Sequence, residues 1–173
     1  MKKIVGILVA CLVGVAAAYI VWSYVLNDEG TLIVKVTDEP IDEFDKVFVT
    51  FSEVKVQKSG ENAGWYTVSL KTKTVDLLGL HKKNATEVLG IDKLRAGKYT
   101  QIWIVVESAK GVKTSGEEIT FMVPDGTLKI VTPFEVKKGE STTLIIDFDL
   151  ARCVSTMGMG YIFTPVAGMT VEE

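Results

Sequence analysis

From Gly30 onward, apolar and polar residues alternate with a period of two along most of the chain. In the first such stretch, Leu32, Val34 and Val36 share one phase. This alternation is typical of half-buried β-strands. Further strands are predicted in residues 47–51, 54–56, 65–70, 74–78, 99–107, 119–123, 128–131, 144–150 and 161–164.

Turn signals separate these stretches at short intervals, and most of them contain glycine. They are Ser59-Gly60, Lys110-Gly111, Ser115-Gly116, Asp125-Gly126 and Lys138-Gly139. This rhythm predicts an all-β fold, namely an antiparallel β-sandwich with an immunoglobulin-like or prealbumin-like Greek-key topology.

Two local signals modify this picture. The apolar phase changes between Phe51 and Val54, so we expect a β-bulge near Ser52-Glu53. A short helix is predicted at residues 85–89, with Asn84 or Thr86 as its cap.

Residues 94–99 have the spacing of a tyrosine corner, a feature of β-sandwiches. Gly97 permits a tight bend and Leu94 anchors it. The Tyr99 hydroxyl is then expected to bond to the backbone a few residues upstream.

A different pattern occupies the N-terminus, where Lys2 and Lys3 precede an uncharged run of 23 residues, 4–26. A helix rising about 1.5 Å per residue needs roughly 20 residues to cross the hydrocarbon core. Because positive charge stays on the cytoplasmic side, we expect a transmembrane or signal helix in residues 1–26 and an extracytoplasmic domain in residues 27–173. The membrane, contacted through residues 4–26, is therefore the first expected partner.

Two alternatives to a retained anchor remain open. Small residues at 16–18 offer a cleavage site before Tyr19, which makes the segment a signal peptide. Residues 8–11 resemble a lipobox with Cys11 as the acylated residue, although apolar sequence continues after it. A retained segment places the domain on the outside of the cell membrane, and a cleaved one makes it secreted or bound to the cell surface.

Charge and cysteine content narrow the function classes. Without Lys2 and Lys3, 17 basic and 22 acidic side chains remain, a net charge of −5. No basic stripe is present, so we expect no binding of nucleic acid. Cys11 and Cys153 are the only cysteines, and one lies in the apolar run, so no disulfide is expected. Cys153 is interpreted as a small buried apolar residue.

The sequence contains no set of residues that indicates catalysis. Its single histidine, His81, is followed by Lys82 and Lys83 in a loop that we expect to be solvated. A Ser-His-Asp arrangement needs that histidine beside a carboxylate and an exposed serine. We therefore expect a protein that is not an enzyme and carries no cofactor, apart from the calcium considered next.

Acidic residues provide the one candidate metal site. Five of them crowd residues 38–45, and Asp147 and Asp149 lie two positions apart on one face of a predicted strand. Calcium takes six to eight oxygen ligands, often from loop carboxylates. If the loop around Pro40 folds over the end of the later strand, Asp38, Asp147 and Asp149 form a calcium site. The alternative is a solvated acidic rim.

Three further residues have two interpretations each. Asn84 opens an Asn-Ala-Thr sequon, which is either a glycosylation site or a chance occurrence. Trp65 and Trp103 lie in strand patterns and are expected in the core or in cross-strand pairs, with ligand binding as the alternative.

Several short motifs, in this order along the chain, are similar to a known family. They are residues 30–40, 47–50, 64–65, 77–80, 94–102, 123–124, 147–149 and 161–166. Together they resemble the domain of unknown function 4382 family, a set of exported, often membrane-tethered archaeal and bacterial domains without an assigned activity. The resemblance implies an exported sandwich and brings no catalytic residues. Cys153 departs from the family pattern, which tends to have a small hydroxyl residue there.

Two functions follow as expectations. The first is a membrane-anchored extracytoplasmic structural or interaction domain, with protein partners or self-assembly and no catalysis. The second is a secreted filament or surface-layer subunit. In that case cleavage after Ala18 frees residues 19–26, which are rich in β-branched and aromatic side chains, to add as a donor strand to a neighbouring subunit.

Overall fold

The computed structural model describes residues 28–39 and 41–172 of the 173-residue chain. The predicted N-terminal helix, its cleavage and lipidation positions and the donor strand 19–26 all lie outside these residues. Within the described ranges, no helix is long and apolar enough to span a bilayer.

Strands dominate the described part of the chain, with two short helices between them. The strands are β1 (Glu29–Glu39), β2 (Phe44–Lys58), β3 (Gly64–Thr67), β4 (Thr74–Asp76), β5 (Glu87–Arg95), β6 (Gly97–Lys113), β7 (Glu118–Phe121), β8 (Thr127–Ile130), β9 (Phe134–Val136), β10 (Ser141–Asp149), β11 (Val154–Met157), β12 (Gly160–Phe163) and β13 (Ala167–Glu172). The helices are α1 (Leu77–Lys82) and α2 (Leu150–Cys153). The prediction of an all-β fold is confirmed.

The first sheet has four strands in the order β13–β10–β1–β5. In it, β1 pairs antiparallel with β5 and parallel with β10, from Thr31 opposite Ser141 to Glu39 opposite Asp149. All other pairs of these strands are antiparallel. The β1–β10 pair therefore corrects the prediction of a wholly antiparallel sandwich. Between these two strands the chain forms β5 and all seven strands of the second sheet, and this long connection allows β10 to run in the same direction as β1.

The second sheet is built on the long strands β2 and β6, which pair antiparallel. Strands β3 and β4 follow one another along the outer edge of β2, and β7, β8 and β9 do the same along β6. Register shifts on both sides of Phe51 confirm the predicted bulge near Ser52-Glu53. The hairpin of β11 and β12 is joined to β7 by the bridge between Met122 and Ile162.

One hydrophobic core lies between the inner faces of the two sheets. The ring of Phe51 from β2 meets that of Phe148 from β10, with centroids 5.9 Å apart. Each fully buried aliphatic side chain contributes about 1.5–3 kcal/mol to folding. Fully buried residues include Leu32, Val34, Val36, Val47, Val49, Val54, Val56, Ile102, Ile104, Leu144 and Ile146.

The predicted tyrosine corner is confirmed. Tyr99 is fully buried, and its hydroxyl donates to the carbonyl oxygen of Arg95 at 2.8 Å. Its ring stacks on Phe134, with centroids 5.3 Å apart. Burial raises the pKa of Tyr99 to about 12, so the hydroxyl stays a donor over the physiological range.

The predicted helix at residues 85–89 is wrong. Residues from Glu87 belong to β5, and Asn84 adopts a positive φ of 49° where a helix cap was expected. The helix lies earlier, at α1, where the sequence predicted the end of a strand. Asp76 begins it, because its carboxylate accepts a hydrogen bond from the Gly79 amide at 3.2 Å.

The strands that the sequence did not predict are short or irregular. In β5, Leu89 and Gly90 are both buried, which interrupts the period of two. The others are β9, with three residues, and β11 and β13, whose side chains are at most half-buried. Alternation of apolar and polar residues does not predict a strand whose side chains are not regularly buried on one face.

The two ends of the sandwich differ. At one end, where β1 begins, two main-chain hydrogen bonds hold the start of the strand. The Ala96 amide donates to the carbonyl oxygen of Asp28 at 2.8 Å, and the Gly139 amide donates to that of Glu29 at 2.9 Å. At the other end β1 finishes beside α1. The 11 residues of β1 separate these ends by about 35 Å, at about 3.3 Å per residue.

Candidate functional site

Asp38 is a buried carboxyl group near the far end of β1. It follows three buried apolar residues on the inward phase of that strand and is only 4% exposed. Neither carboxyl oxygen has a hydrogen-bond partner among the described residues. Burial raises the pKa of Asp38 to about 6, supported by repulsion from Asp147 and Asp76 and opposed by His81.

His81 lies on α1 close to this strand end. Its Nδ1 is 3.1 Å from the main-chain oxygen of Asp38, while the residue as a whole is exposed. The N-terminus of α1 is fixed by Asp76, which also accepts from the Val47 amide of β2 at 3.3 Å. The exposed position of His81 was predicted, whereas its contact with Asp38 was not.

Asp147 and Asp149 face away from Asp38. In the register of β1 and β10, Asp38 lies opposite the buried Phe148, and Asp147 lies opposite Thr37. Successive side chains of a strand point to opposite faces of the sheet. The two β10 carboxyl groups therefore lie on the outer face, as the sequence predicted, and Asp38 lies on the inner one.

The two outer carboxyl groups have different surroundings. Asp149 accepts from the Arg152 amide at 3.0 Å as the cap of α2. The Oδ1 atom of Asp147 is buried without a hydrogen-bond partner among the described residues. Burial and the neighbouring Asp149 raise the pKa of Asp147, against the influence of His81.

The proposed calcium ligands are thus divided between two faces of one sheet. Over residues 28–39 and 41–172, no three His, Cys, Asp or Glu side chains are grouped so that they hold a metal ion. Pro40, the centre of the acidic loop, lies outside the described residues. A calcium site at Asp38, Asp147 and Asp149 stays a prediction.

Two other residues singled out from the sequence lie at opposite extremes of exposure. Asn84 is exposed in the turn after α1, where its side chain is accessible, and its glycosylation stays a prediction. Cys153 is fully buried, as predicted. Its Sγ contacts both the amide and the carbonyl of Val166, at 3.2 and 3.3 Å, and burial raises the pKa of the thiol to about 11.

The outer face of the seven-stranded sheet carries a pair of tryptophans. Trp65 in β3 and Trp103 in β6 meet across β2, with ring centroids 4.6 Å apart and ring planes at 55°. Trp65 is 42% exposed, and of the described aromatic residues it is the only exposed one. The predicted cross-strand position is confirmed, and the alternative of a core position is wrong. In β6, Trp103 lies between the buried residues Ile102 and Ile104. The alternation of side chains along a strand was therefore sufficient to predict that Trp103 points away from the core.

Side-chain amides hold the ring of Trp103. The Trp103 indole donates from Nε1 to Oε1 of Gln101 at 2.8 Å, and Gln101 in turn donates from Nε2 to Oε1 of Gln57. Gln57 lies opposite Trp65 in the register of β2 and β3. Trp103 is therefore positioned by hydrogen bonds that reach from β6 to β2, and Trp65 packs against its ring.

Two lysines complete this surface. Lys55 Nζ lies 5.3 Å from the Trp103 ring centroid and 5.7 Å from that of Trp65, and Lys129 Nζ lies 4.7 Å from Trp103. Lys55 also pairs with Glu53 at 3.1 Å, while Lys129 has no acidic partner among the described residues. We call the set of Trp65, Trp103, Lys55, Lys129, Gln57 and Gln101 the tryptophan platform.

Comparison with known proteins returns one family. Residues 29–165 match the family model described as a domain of unknown function, DUF4382. The match covers almost all of the described residues and confirms the resemblance seen in the short motifs. Neither a curated protein nor a solved structure matches the chain.

Proposed function

This chain belongs to the DUF4382 family of domains of unknown function, and we propose that it is a membrane-anchored extracytoplasmic recognition module without catalysis. Its binding face is the tryptophan platform. The observation that carries this proposal is the pair of packed indoles on the outer face of the second sheet, the exposed Trp65 against the hydrogen-bonded Trp103.

The platform is suited to binding because the core does not need it. The inner faces of β2 and β6 already fill the space between the sheets with aliphatic residues, including Val54, Val56, Ile102 and Ile104. A large aromatic ring in solvent has no share in that core, whereas tryptophan is enriched where proteins bind partners.

The anchored location is supported by where the fold begins. The apolar run ends at Leu26 and β1 starts at Glu29, so the domain follows the proposed membrane segment almost directly. The end of the sandwich that holds Ala96 and Gly139 then lies next to the bilayer. Because β1 runs about 35 Å away from that end, His81 and α1 point outward and the platform faces sideways.

The finer fold class is part of the same proposal. In a sandwich with an immunoglobulin-like or prealbumin-like Greek key, some of the connections are long and cross from one sheet to the other. In support, β1 lies between β5 and β10 in one sheet while β2 and β6 form the centre of the other.

Cell fractionation with analysis of the N-terminus tests the anchored location. We expect the native protein in the membrane fraction, resistant to extraction by high salt and carbonate, with residues 1–26 intact by mass. Its exposed lysines are expected to react with a membrane-impermeant reagent on whole cells. Native protein that is free in the cytosol overturns the proposal.

A filament or surface-layer subunit is the second candidate, favoured by one open edge. Among the described strands β13 pairs only with β10, and Met169 and Val171 pack against the core from it. The other edge strand, β5, is covered by residues 69–72. A strand such as residues 19–26 of a neighbour has a place to add at β13. This candidate requires mature protein that begins at Tyr19, so an intact N-terminus excludes it.

A further inference from the structure

The tryptophan platform combines features that together define a class of ligand. It spans four adjacent strands, since β3, β2, β6 and β8 contribute Trp65, Lys55, Trp103 and Lys129 in that order. The surface is therefore a sheet face instead of a pocket. It suits an extended chain that lies across it better than a small molecule that needs enclosure.

The indoles supply the apolar part of the contact. Trp65 is 42% exposed and Trp103 is half-buried beside it, so part of this aromatic surface is open to solvent. Pyranose rings have one apolar face of C–H groups, which packs on an indole and displaces water from both surfaces. The amides of Gln57 and Gln101 lie in the same layer and offer groups that bond to sugar hydroxyls.

The ammonium groups supply the charge. Lys55 and Lys129 both lie within 5.3 Å of the Trp103 ring centroid, so two cations flank the same indole. Only Lys55 has an acidic neighbour, Glu53, among the described residues. The platform thus has an unbalanced positive charge next to its apolar centre, although the domain as a whole is acidic.

We infer that the tryptophan platform binds an acidic polysaccharide, that is, a glycan chain carrying carboxylate or sulfate groups. The inference rests on the proposed function, because it takes the platform to be the binding face. The sugar rings pack on Trp65 and Trp103, while the acidic groups pair with Lys55 and Lys129 through charge-assisted hydrogen bonds.

Single-stranded nucleic acid is the competing ligand, since it also combines stacking groups with negative charge. The negative charge of the domain opposes any polyanion, and it opposes nucleic acid, with a phosphate on every nucleotide, more than a glycan with acidic groups on only some of its sugars. The chain carries 22 acidic side chains against 19 basic ones, and nucleic-acid binding requires a basic surface that neutralises several phosphates. Two lysines on the platform fall short of this requirement.

Calorimetric titration of the full-length protein in nonionic detergent tests the inference. The probes are polygalacturonate and dextran sulfate, with uncharged dextran and a single-stranded oligonucleotide for comparison. We expect binding of at least one acidic glycan, weakened when sodium chloride rises from about 0.05 M to about 0.5 M because salt screens the lysine contacts. Tryptophan fluorescence is expected to change with the same concentration dependence.

Three variants isolate the contributions. Trp65→Ala removes the exposed indole and is expected to weaken binding by about tenfold or more, as for an aromatic residue that anchors an interface. Lys129→Gln removes one charge and is expected to weaken binding about two- to fivefold. Lys110→Gln is the matched control, because Lys110 is an exposed cation on β6, opposite Phe48 and beyond the platform, and it should bind as the unaltered protein does.

The inference is overturned if neither acidic glycan binds, if dextran binds equally well, or if the oligonucleotide binds in their place. It is also overturned if Lys129→Gln and Lys110→Gln have the same affinity. Each variant is compared by its unfolding temperature, so that a loss of binding is assigned to the contact only in folded protein. Membrane fractionation is an independent measurement: anchored protein that binds no acidic glycan refutes this inference and leaves the proposed location standing.

Discussion

Asp38 makes the stability of this domain depend on pH in a direction opposite to that of most carboxyl groups. Its oxygens are buried without hydrogen-bond partners among the described residues, and its pKa is raised from 3.8 to about 6. The folded state therefore holds the proton more tightly than the unfolded state does. Between about pH 4 and pH 6 the folded state binds more protons, so stability falls as the pH rises through this window.

The magnitude follows from the size of the shift. A change of about two pKa units corresponds to about 3 kcal/mol, at 1.36 kcal/mol per unit. Well above pH 6 the unaltered protein bears this whole penalty, because a charged carboxylate is buried there near two other carboxyl groups, Asp147 and Asp76. Asp38→Asn keeps the shape and removes the charge. We therefore expect the variant to gain up to about 3 kcal/mol relative to the unaltered protein when the pH is raised from 4 to 8.

Thermal unfolding followed by circular dichroism measures this difference. For a domain of this size, 3 kcal/mol corresponds to about 6–12 °C in Tm. The comparison between the two pH values matters more than either value alone, because the buried amide of Asn has its own desolvation cost at both. If Asp38→Asn changes Tm equally at pH 4 and pH 8, the carboxyl group is not desolvated and the reasoning is refuted.

Asp92 is the matched control for this experiment. Burial tends to raise its pKa, but hydrogen bonds from the Ser69 hydroxyl and amide and from the Lys93 amide outweigh it, so the pKa is lowered. Asp92 therefore stabilises the fold above its unfolded pKa, and this contribution is lost as the pH falls through the folded value. Asp92→Asn is expected to lower Tm at pH 8 and to have a smaller effect in acid, the opposite of Asp38→Asn.

Other features of the fold give further expected outcomes. Tyr99→Phe removes the hydrogen bond to Arg95 and should lower the free energy of unfolding by about 1–2 kcal/mol in denaturant titrations. Cys153 should resist alkylation at pH 8 in folded protein and react once it is unfolded, as read from the mass of its peptide, because the thiol is buried with a pKa of about 11. Gly126→Ala places a Cβ 2.0 Å from the Val106 carbonyl oxygen and should cost about 1–3 kcal/mol, measured as a drop in Tm; an unchanged Tm contradicts this close approach.

Alternation of apolar residues was sufficient to predict most of the long strands, because each has one face on the core. In β10, for example, Leu144, Ile146 and Phe148 are buried and Asp147 is not. The tyrosine corner was predictable for a related reason, since it depends on a few residues close together in sequence. Such local and periodic signals need no knowledge of which strands are neighbours.

Most features that the sequence did not predict depend on contacts between distant parts of the chain. The helix α1 is an exception, because its signal is local: the Leu77-Leu78 pair fits a strand or a helix equally well, and the cap at Asp76 decides for the helix. The register of β1 and β10 places Asp38 and Asp147 on opposite faces of the first sheet, and this register depends on which strands pair. The contact of His81 with Asp38 and that of Trp65 with Trp103 likewise arise only when the fold brings distant residues together.

The buried carboxyl group of Asp38 and the tryptophan platform should act independently, because they lie on different sheets and near different ends of the domain. Asp38 faces the core from β1 close to α1, whereas Trp65 lies on the outer face of the second sheet, next to the end where β1 begins. A core about 10 Å thick separates the two sheets. Residues this far apart usually have additive effects, within about 0.5 kcal/mol. Asp38→Asn should therefore make stability less dependent on pH between pH 4 and pH 8 without changing the affinity for an acidic glycan, and Trp65→Ala should weaken glycan binding without changing that pH dependence. The double variant tests both statements, since a coupling in unfolding free energy well above 0.5 kcal/mol shows that the platform and the buried carboxyl group form one connected site.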